Sequence, residues 1–190
     1  RPALSGRREA DVCVVGGGFA GLNTALGLAE RGQRDVVLLE ARRLGHGASG
    51  RNGGFVFGGF SRGEQALLDE LGPQRAQALY QGTQDAVELI RRRISRHGIS
   101  CDHTDAGVIW ANWFRDPAPL RERQALLERH FGVQWRWLER EEMSALVRSE
   151  RYTEGLFEAN ALHFDPLAYA RGVADVAAGQ GVAVHETSPA

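Results

Sequence analysis

The chain has 190 residues, 43% of them hydrophobic and 25% charged, with a formal net charge of -1. This is the composition of one globular domain or a little more, not of a collagen-like, mucin-like or disordered chain. All 23 basic residues are arginine, so a Walker-type phosphate loop lacks its lysine and no Schiff-base lysine exists. There is no basic excess to suggest nucleic acid, and no run of about 18 apolar residues to suggest a membrane span.

The first element in chain order is Ala10-Asp-Val-Cys-Val-Val15, which is short, β-branched and apolar, as expected of a buried parallel strand. Gly16-Gly-Gly-Phe-Ala-Gly21 follows at once, and Leu22 to Arg31 carries helical periodicity that Gly32 is placed to stop. Asp35-Val-Val-Leu-Leu-Glu40 is a second buried strand, which completes a βαβ unit. A second glycine-rich stretch runs from Gly45 to Gly54. Ser61-Arg-Gly-Glu64 has capping-box spacing and predicts a helix to Leu71, broken by Gly72-Pro73. Gln74 to His97 predicts a long helix.

Gly107 to Ala111 predicts a strand, Asp116-Pro117 opens a helix to Phe131, and Glu139 to Val147 forms a shorter one. Tyr152 to Glu158 reads as a strand. Asp165-Pro166 starts a helix to about Ala178. Val182 to Glu186 is the third strand of the parallel sheet, in which the strand Asp35–Leu39 takes the middle place and the first strand keeps an open apolar edge. The fold class is therefore α/β: a Rossmann-like domain of parallel sheet and helices, interrupted by a mainly helical insertion and incomplete at its C-terminus. The expected boundaries are 1–58 and 161–190 for the nucleotide domain, with 59–160 as insertion and start of a substrate domain.

Gly16, Gly18 and Gly21 lie between a strand and a helix, the context that gives GxGxxG its meaning. Gly16 permits the tight turn, Gly18 lets a pyrophosphate approach the backbone, and Gly21 lets helix and strand pack closely. The helix-start amides then face the anion. Glu40, 19 residues after Gly21, can accept both ribose hydroxyls of an adenosine and would repel a 2′-phosphate, which disfavours NADP. A simple NAD domain has no need of the second turn, Gly47-Ala-Ser-Gly-Arg-Asn-Gly-Gly54. A flavin dinucleotide can use it, because its pyrophosphate and ring run past such a loop.

Asp11-Val-Cys-Val-Val-Gly-Gly-Gly-Phe-Ala-Gly-Leu22, Leu39-Glu-Ala41 and Gly47 to Gly54 resemble the FAD-dependent D-amino-acid oxidase superfamily. Ser149-Glu-Arg-Tyr-Thr153 and Leu162-His-Phe-Asp-Pro-Leu167 are similar to segments of its gamma-glutamylputrescine oxidase branch. The resemblance implies that Gly16, Gly18 and Gly21, with Phe19 and Ala20 between them, hold the pyrophosphate of FAD and that Glu40 holds the ribose. Ala41 and Arg42 would border the adenosine, while Gly47, Ala48, Ser49, Arg51, Asn52, Gly53 and Gly54 would line the path to the flavin. The chain departs from the branch at Phe55, where relatives often carry glutamine, and at Asp165, where they often carry a second histidine.

The implied function is oxidation of a C–N bond in an amine or amino acid, with a gamma-glutamylputrescine-like amine favoured. Its partners would be that small-molecule amine and oxygen or another electron acceptor. The alternative is a truncated, inactive FAD-binding or interaction fragment, since members of the superfamily are much longer. No cysteine other than Cys13 lies in a glycine motif, so non-covalent FAD is expected.

Cys13 and Cys101 read as small buried hydrophobes. Two cysteines and the lack of an apolar signal-peptide core in Arg1–Ala10 fit a cytoplasmic protein. The six histidines show no metal-ligand spacing. Arg91-Arg92-Arg93 with Arg96 reads as a solvated helix face, and Trp135 and Trp137 as packing residues. No catalytic side chain can be assigned.

Overall fold

The computed structural model describes residues 1–114 and 116–190. It divides into two compact units, residues 1–55, 93–103 and 164–190 in one and 56–92 and 104–163 in the other.

The first unit is built on a three-stranded parallel sheet. β1 (Val12–Val15) leads through Gly16–Gly18 into α1 (Phe19–Glu30), then to β2 (Val36–Leu39). A 3-10 turn at Ala48–Gly50 follows, and the short β3 (Phe55–Val56) comes where the chain leaves the first unit. α1 begins at Phe19, one residue after Gly18, so three residues predicted as turn belong to the helix.

In the second unit, α2 (Glu64–Leu71) and most of α3 (Pro73–His97) precede β4 (Val108–Ala111). α4 (Ala118–Phe131), β5 (Arg136–Leu138), α5 (Arg140–Leu146), β6 (Gly155–Glu158) and β7 (Leu162–His163) come next. The chain returns to the first unit with α6 (Pro166–Gly179) and β8 (Ala183–His185).

The parallel order is β1-β2-β8 with β2 central, as the doubly wound rule requires. Val14 pairs with Leu38, and Leu38 with Val184. α1 and α6 pack on each other and on this sheet. Leu22, Ala25, Leu26, Leu38, Tyr169 and Val173 are fully or almost fully buried there. Asp165 caps α6: its Oδ1 accepts from the Leu167 and Ala168 amides, both at 2.9 Å. The branch departure at Asp165 thus has a structural use, because a carboxylate satisfies two open amides at a proline-started helix.

The second unit contains an antiparallel sheet ordered β4-β6-β5, in which Trp110 and Trp137 both pair with Leu156. Its core joins Leu67, Ala76, Tyr80, Leu127, Phe131, Trp135 and Leu156. Trp135 and Trp110 stack at 5.6 Å, and the Arg123 guanidinium lies over both rings while pairing with Glu64. Trp135 lies in this core and Trp137 packs against it, the packing role expected of both. Glu158 is 1% exposed. Burial pushes its carboxyl above the usual range, against the hydrogen bond it accepts from Trp110 Nε1 at 2.9 Å.

Four sequence expectations need correction. Cys13 is exposed, although Cys101 is buried. β1 takes the edge place expected of it but is not buried throughout: Val12 and Val14 are part-buried while Cys13 and Val15 (66%) are exposed, because successive strand side chains point to opposite faces of the sheet. Ser61 does not cap α2, whose N-cap is Gly63 with no side-chain bond. Arg93 is not part of a solvated face: it is 4% exposed and paired with Glu30. A helix turns about 100° per residue, so an arginine run necessarily samples several faces.

Candidate functional site

The glycines of the β1–α1 turn are explained by what a side chain would meet. Gly16 has φ +104°, a conformation that L side chains rarely adopt. A Cβ on Gly21 would lie 1.9 Å from the Gly16 carbonyl oxygen. A Cβ on Gly18 would meet only the Ser49 side chain, at 2.9 Å from Oγ. Gly18 offers no side chain to cap α1. The first helical amide, Phe19 N–H, donates to Ser49 Oγ at 2.9 Å. Ala20 is exposed and Gly21 part-exposed at this helix start. The helix dipole and uncapped amides make it a place where an anion is favoured.

Glu40 ends β2 directly beside this turn. Its Oε2 accepts from Gly17 N–H and its Oε1 from Arg42 N–H, both at 2.7 Å. Two charge-assisted bonds hold the carboxylate in place and leave acceptor capacity on each oxygen. Ala41 and Arg42 follow on the exposed side, with Arg42 Nη1 2.9 Å from His46 Nε2. Residues 186–188 lie alongside: Ser188 N–H donates to Glu40 O and Thr187 N–H to Arg42 O, each at 2.9 Å.

The loop Gly47–Gly54 closes the other flank. Gly45 N–H donates to Gly17 O at 2.9 Å, which ties the loop to the first glycine turn. Asn52 holds the loop in shape: Nδ2 donates to Ala48 O and Ser49 O, and Oδ1 accepts from Gly54 N–H. Arg51 Nη2 lies 3.4 Å from His46 Nε2. Gly53 is exposed and Gly54 buried, the latter at φ +73°.

Not every glycine here serves a ligand. A Cβ on Gly50 would lie 2.3 Å from the Gly45 carbonyl oxygen, and one on Gly45, at φ +70°, would press on Leu167 Cδ1 of α6 at 2.9 Å. Those two are required by packing, whereas Gly47 faces open space. The sequence motifs thus converge on one place, formed by the start of α1, the end of β2 and the 3-10 turn.

One network was missed by sequence reasoning. Arg93 Nη1 donates to Asn23 Oδ1 at 2.6 Å, and its Nη2 and Nε donate to Glu30. Burial raises the Glu30 carboxyl, but Arg93 and, more weakly, His97 outweigh it and hold the group below the usual range. Tyr169 is pushed up to about 12 by burial. Among the described residues, no group of three or more histidine, cysteine or carboxylate side chains could hold a metal, and no helix is long and apolar enough to cross a membrane.

A glycine turn, a fixed carboxylate at the end of the second strand and a second glycine loop on one parallel sheet define a dinucleotide-binding domain of the flavoprotein class. Residues 11–190 match the DAO family, described as FAD dependent oxidoreductase, and the chain belongs to that family. It is 40% identical over 178 residues to the gamma-glutamylputrescine oxidoreductase of Escherichia coli, covering 94% of this chain and 42% of that protein. It is 35% identical over 189 residues to the "Probable oxidoreductase OrdL" of Haemophilus influenzae, covering 99% of this chain and 44% of that protein. The L-amino acid deaminase of Proteus myxofaciens has the same fold, with a TM-score of 0.76 at 24% identity over 98% of this chain and 40% of that one. The chain therefore spans less than half the length of these relatives.

Proposed function

We propose that this chain supplies the FAD-binding half, and the beginning of the substrate domain, of an amine or amino-acid oxidoreductase. The observation that carries this reading is the fixed Glu40 carboxylate, 2.7 Å from the Gly17 and Arg42 amides, beside an α1 start that no side chain of Gly18 caps. The residues present fit FAD: the Gly18 position is clear except for Ser49, and Gly47 borders open space. The Ala20 and Gly21 amides would bind the diphosphate, helped by the dipole of α1. Glu40 would accept the ribose hydroxyls, with Ala41 and Arg42 bordering the adenosine. Ser49 would keep the α1 start in register, and Arg51 would add positive charge. Asn52 would hold Gly53 and Gly54 in the conformation that lines the path to the flavin.

FAD, when bound non-covalently here, supplies the acceptor for a hydride from the carbon beside a neutral amine nitrogen, and water then hydrolyses the resulting imine. The favoured substrate is a gamma-glutamylputrescine-like amine, from the likeness to the Escherichia coli protein. Oxygen or another carrier would take the electrons onward, in the cytoplasm. In domain terms, 1–58 and 161–190 would carry the FAD and 59–160 would begin the substrate side.

The test is anaerobic mixing of the purified, FAD-loaded protein that contains this chain with gamma-glutamylputrescine, and separately with simple amino acids. Bleaching of flavin absorbance by the polyamine derivative first is the expected result. Bleaching by amino acids alone would discard the polyamine assignment, and no bleaching by either would discard amine oxidation.

A further inference from the structure

We propose that Arg93 is a positioning residue for the nucleotide site: it orients the Asn23 amide, and Asn23 braces the first turn of α1. This rests on the FAD reading above, because that turn is where the diphosphate would sit.

The argument begins with donor and acceptor identity. A guanidinium only donates. Arg93 Nη1 lies 2.6 Å from Asn23 Oδ1, so the oxygen of the Asn23 amide must face Arg93. Tyr169 Oη also points its proton at that oxygen, at 3.5 Å. The amide nitrogen is thereby turned the other way, where Asn23 Nδ2 donates to Phe19 O at 2.9 Å. Phe19 opens α1, and its own N–H donates to Ser49 Oγ at 2.9 Å. This one residue is therefore held on its amide side by the glycine-rich loop and on its carbonyl side by Asn23. Its ring lies edge-on to Tyr169 at 5.7 Å, which adds a third restraint.

Arg93 is able to impose this orientation because it cannot turn away. It is 4% exposed, and Glu30 grips its Nη2 at 2.6 Å and its Nε at 3.3 Å. Asparagine is a poor helix former, since its side chain competes for backbone bonds. At position 23 that competing bond is the one that braces the turn.

The decisive variant is Asn23→Asp. It keeps an acceptor for Arg93 and adds an ion pair, but has no N–H to offer Phe19 O. Arg93→Leu removes the orienting group instead, and the double variant tests whether the two act together. Each purified chain is assayed three ways: by urea unfolding, by hydrogen exchange at the Phe19 and Leu22 amides, and by flavin fluorescence on titration with FAD. Asn23→Asp is expected to unfold at the wild-type urea midpoint, to exchange faster at Phe19 and Leu22, and to bind FAD roughly tenfold more weakly, the effect of about one hydrogen bond. Adding Arg93→Leu to it is expected to change neither exchange nor affinity further.

Unchanged exchange and affinity in Asn23→Asp would overturn the inference. If Arg93→Leu fails to fold, Asn23→Asp alone decides. A wild-type chain that binds no FAD would overturn the nucleotide reading itself, a result distinct from normal binding by wild type and variants alike.

Discussion

Replacing Gly21 with alanine sets two physical effects against each other. Alanine is the better helix former by about 1 kcal/mol, so propensity alone makes Gly21→Ala stabilising. The structure gives the opposite sign. The new Cβ would stand 1.9 Å from the Gly16 carbonyl oxygen and 3.1 Å from its carbon, where ordinary contact begins near 3.4 Å. The obstacle is backbone, so α1 has to retreat from the turn by about 1.5 Å, lifting Leu22, Ala25 and Leu26 from the sheet. Overpacking of this kind costs roughly 1–3 kcal/mol, and the net loss is up to about 2 kcal/mol after the propensity gain. The melting temperature should fall by up to about 8 °C.

Gly82→Ala in α3 is the matched control. A Cβ there meets nothing within 4 Å, and the same substitution should stabilise by about 0.5–1 kcal/mol. Thermal unfolding of both variants followed by circular dichroism makes the comparison. A Gly21→Ala chain as stable as Gly82→Ala would refute the close-approach argument.

Other variants probe the site and the core. Gly18→Val should fold, because only the movable Ser49 side chain stands near the new Cβ, yet purify without flavin; a normal flavin-to-protein absorbance ratio would remove Gly18 from the site. Glu40→Ala should weaken FAD by about 1–3 kcal/mol through lost charged hydrogen bonds, measured by fluorescence titration, and unchanged affinity would exclude Glu40. Glu158 carries a carboxyl raised above 4.5, chiefly by burial. Its contribution is fully present below that value and lost as pH rises through the folded-state value. Urea midpoints of the wild type should therefore fall between pH 5 and pH 8 relative to those of Glu158→Gln, whereas parallel pH profiles would show that Glu158 is not raised.

What could be read from the residues is what depends on local sterics. The βαβ unit, the turn at Gly16–Gly21 and the carboxylate at Glu40 follow from spacing, because each residue type meets a demand set within about 25 positions. Asp165-Pro166 was legible for the same reason, and it does cap α6. What escaped depends on distant partners. Nothing in Arg91-Arg92-Arg93 marks the third arginine as buried. Its partners Glu30 and Asn23 lie 63 and 70 residues away. Cys13 looks like any buried strand residue, since which face of β1 stays uncovered depends on remote packing rather than on the strand's own residues. The pairing of β4 and β5 with β6 is likewise a matter of register between remote segments, which periodicity does not encode. Ser61 had capping-box spacing, but the helix starts after Gly63 instead.

Whether the diphosphate of FAD rests on the start of α1 is decided most directly by titrating FAD into the isotopically labelled chain and following its backbone amides by NMR. The account predicts saturable shifts at Ala20, Gly21, Arg42, Ser49 and Asn52, with the amides of α4 and β5 unmoved. Saturable shifts confined to α4 and β5, or none at Ala20 and Gly21, would contradict it.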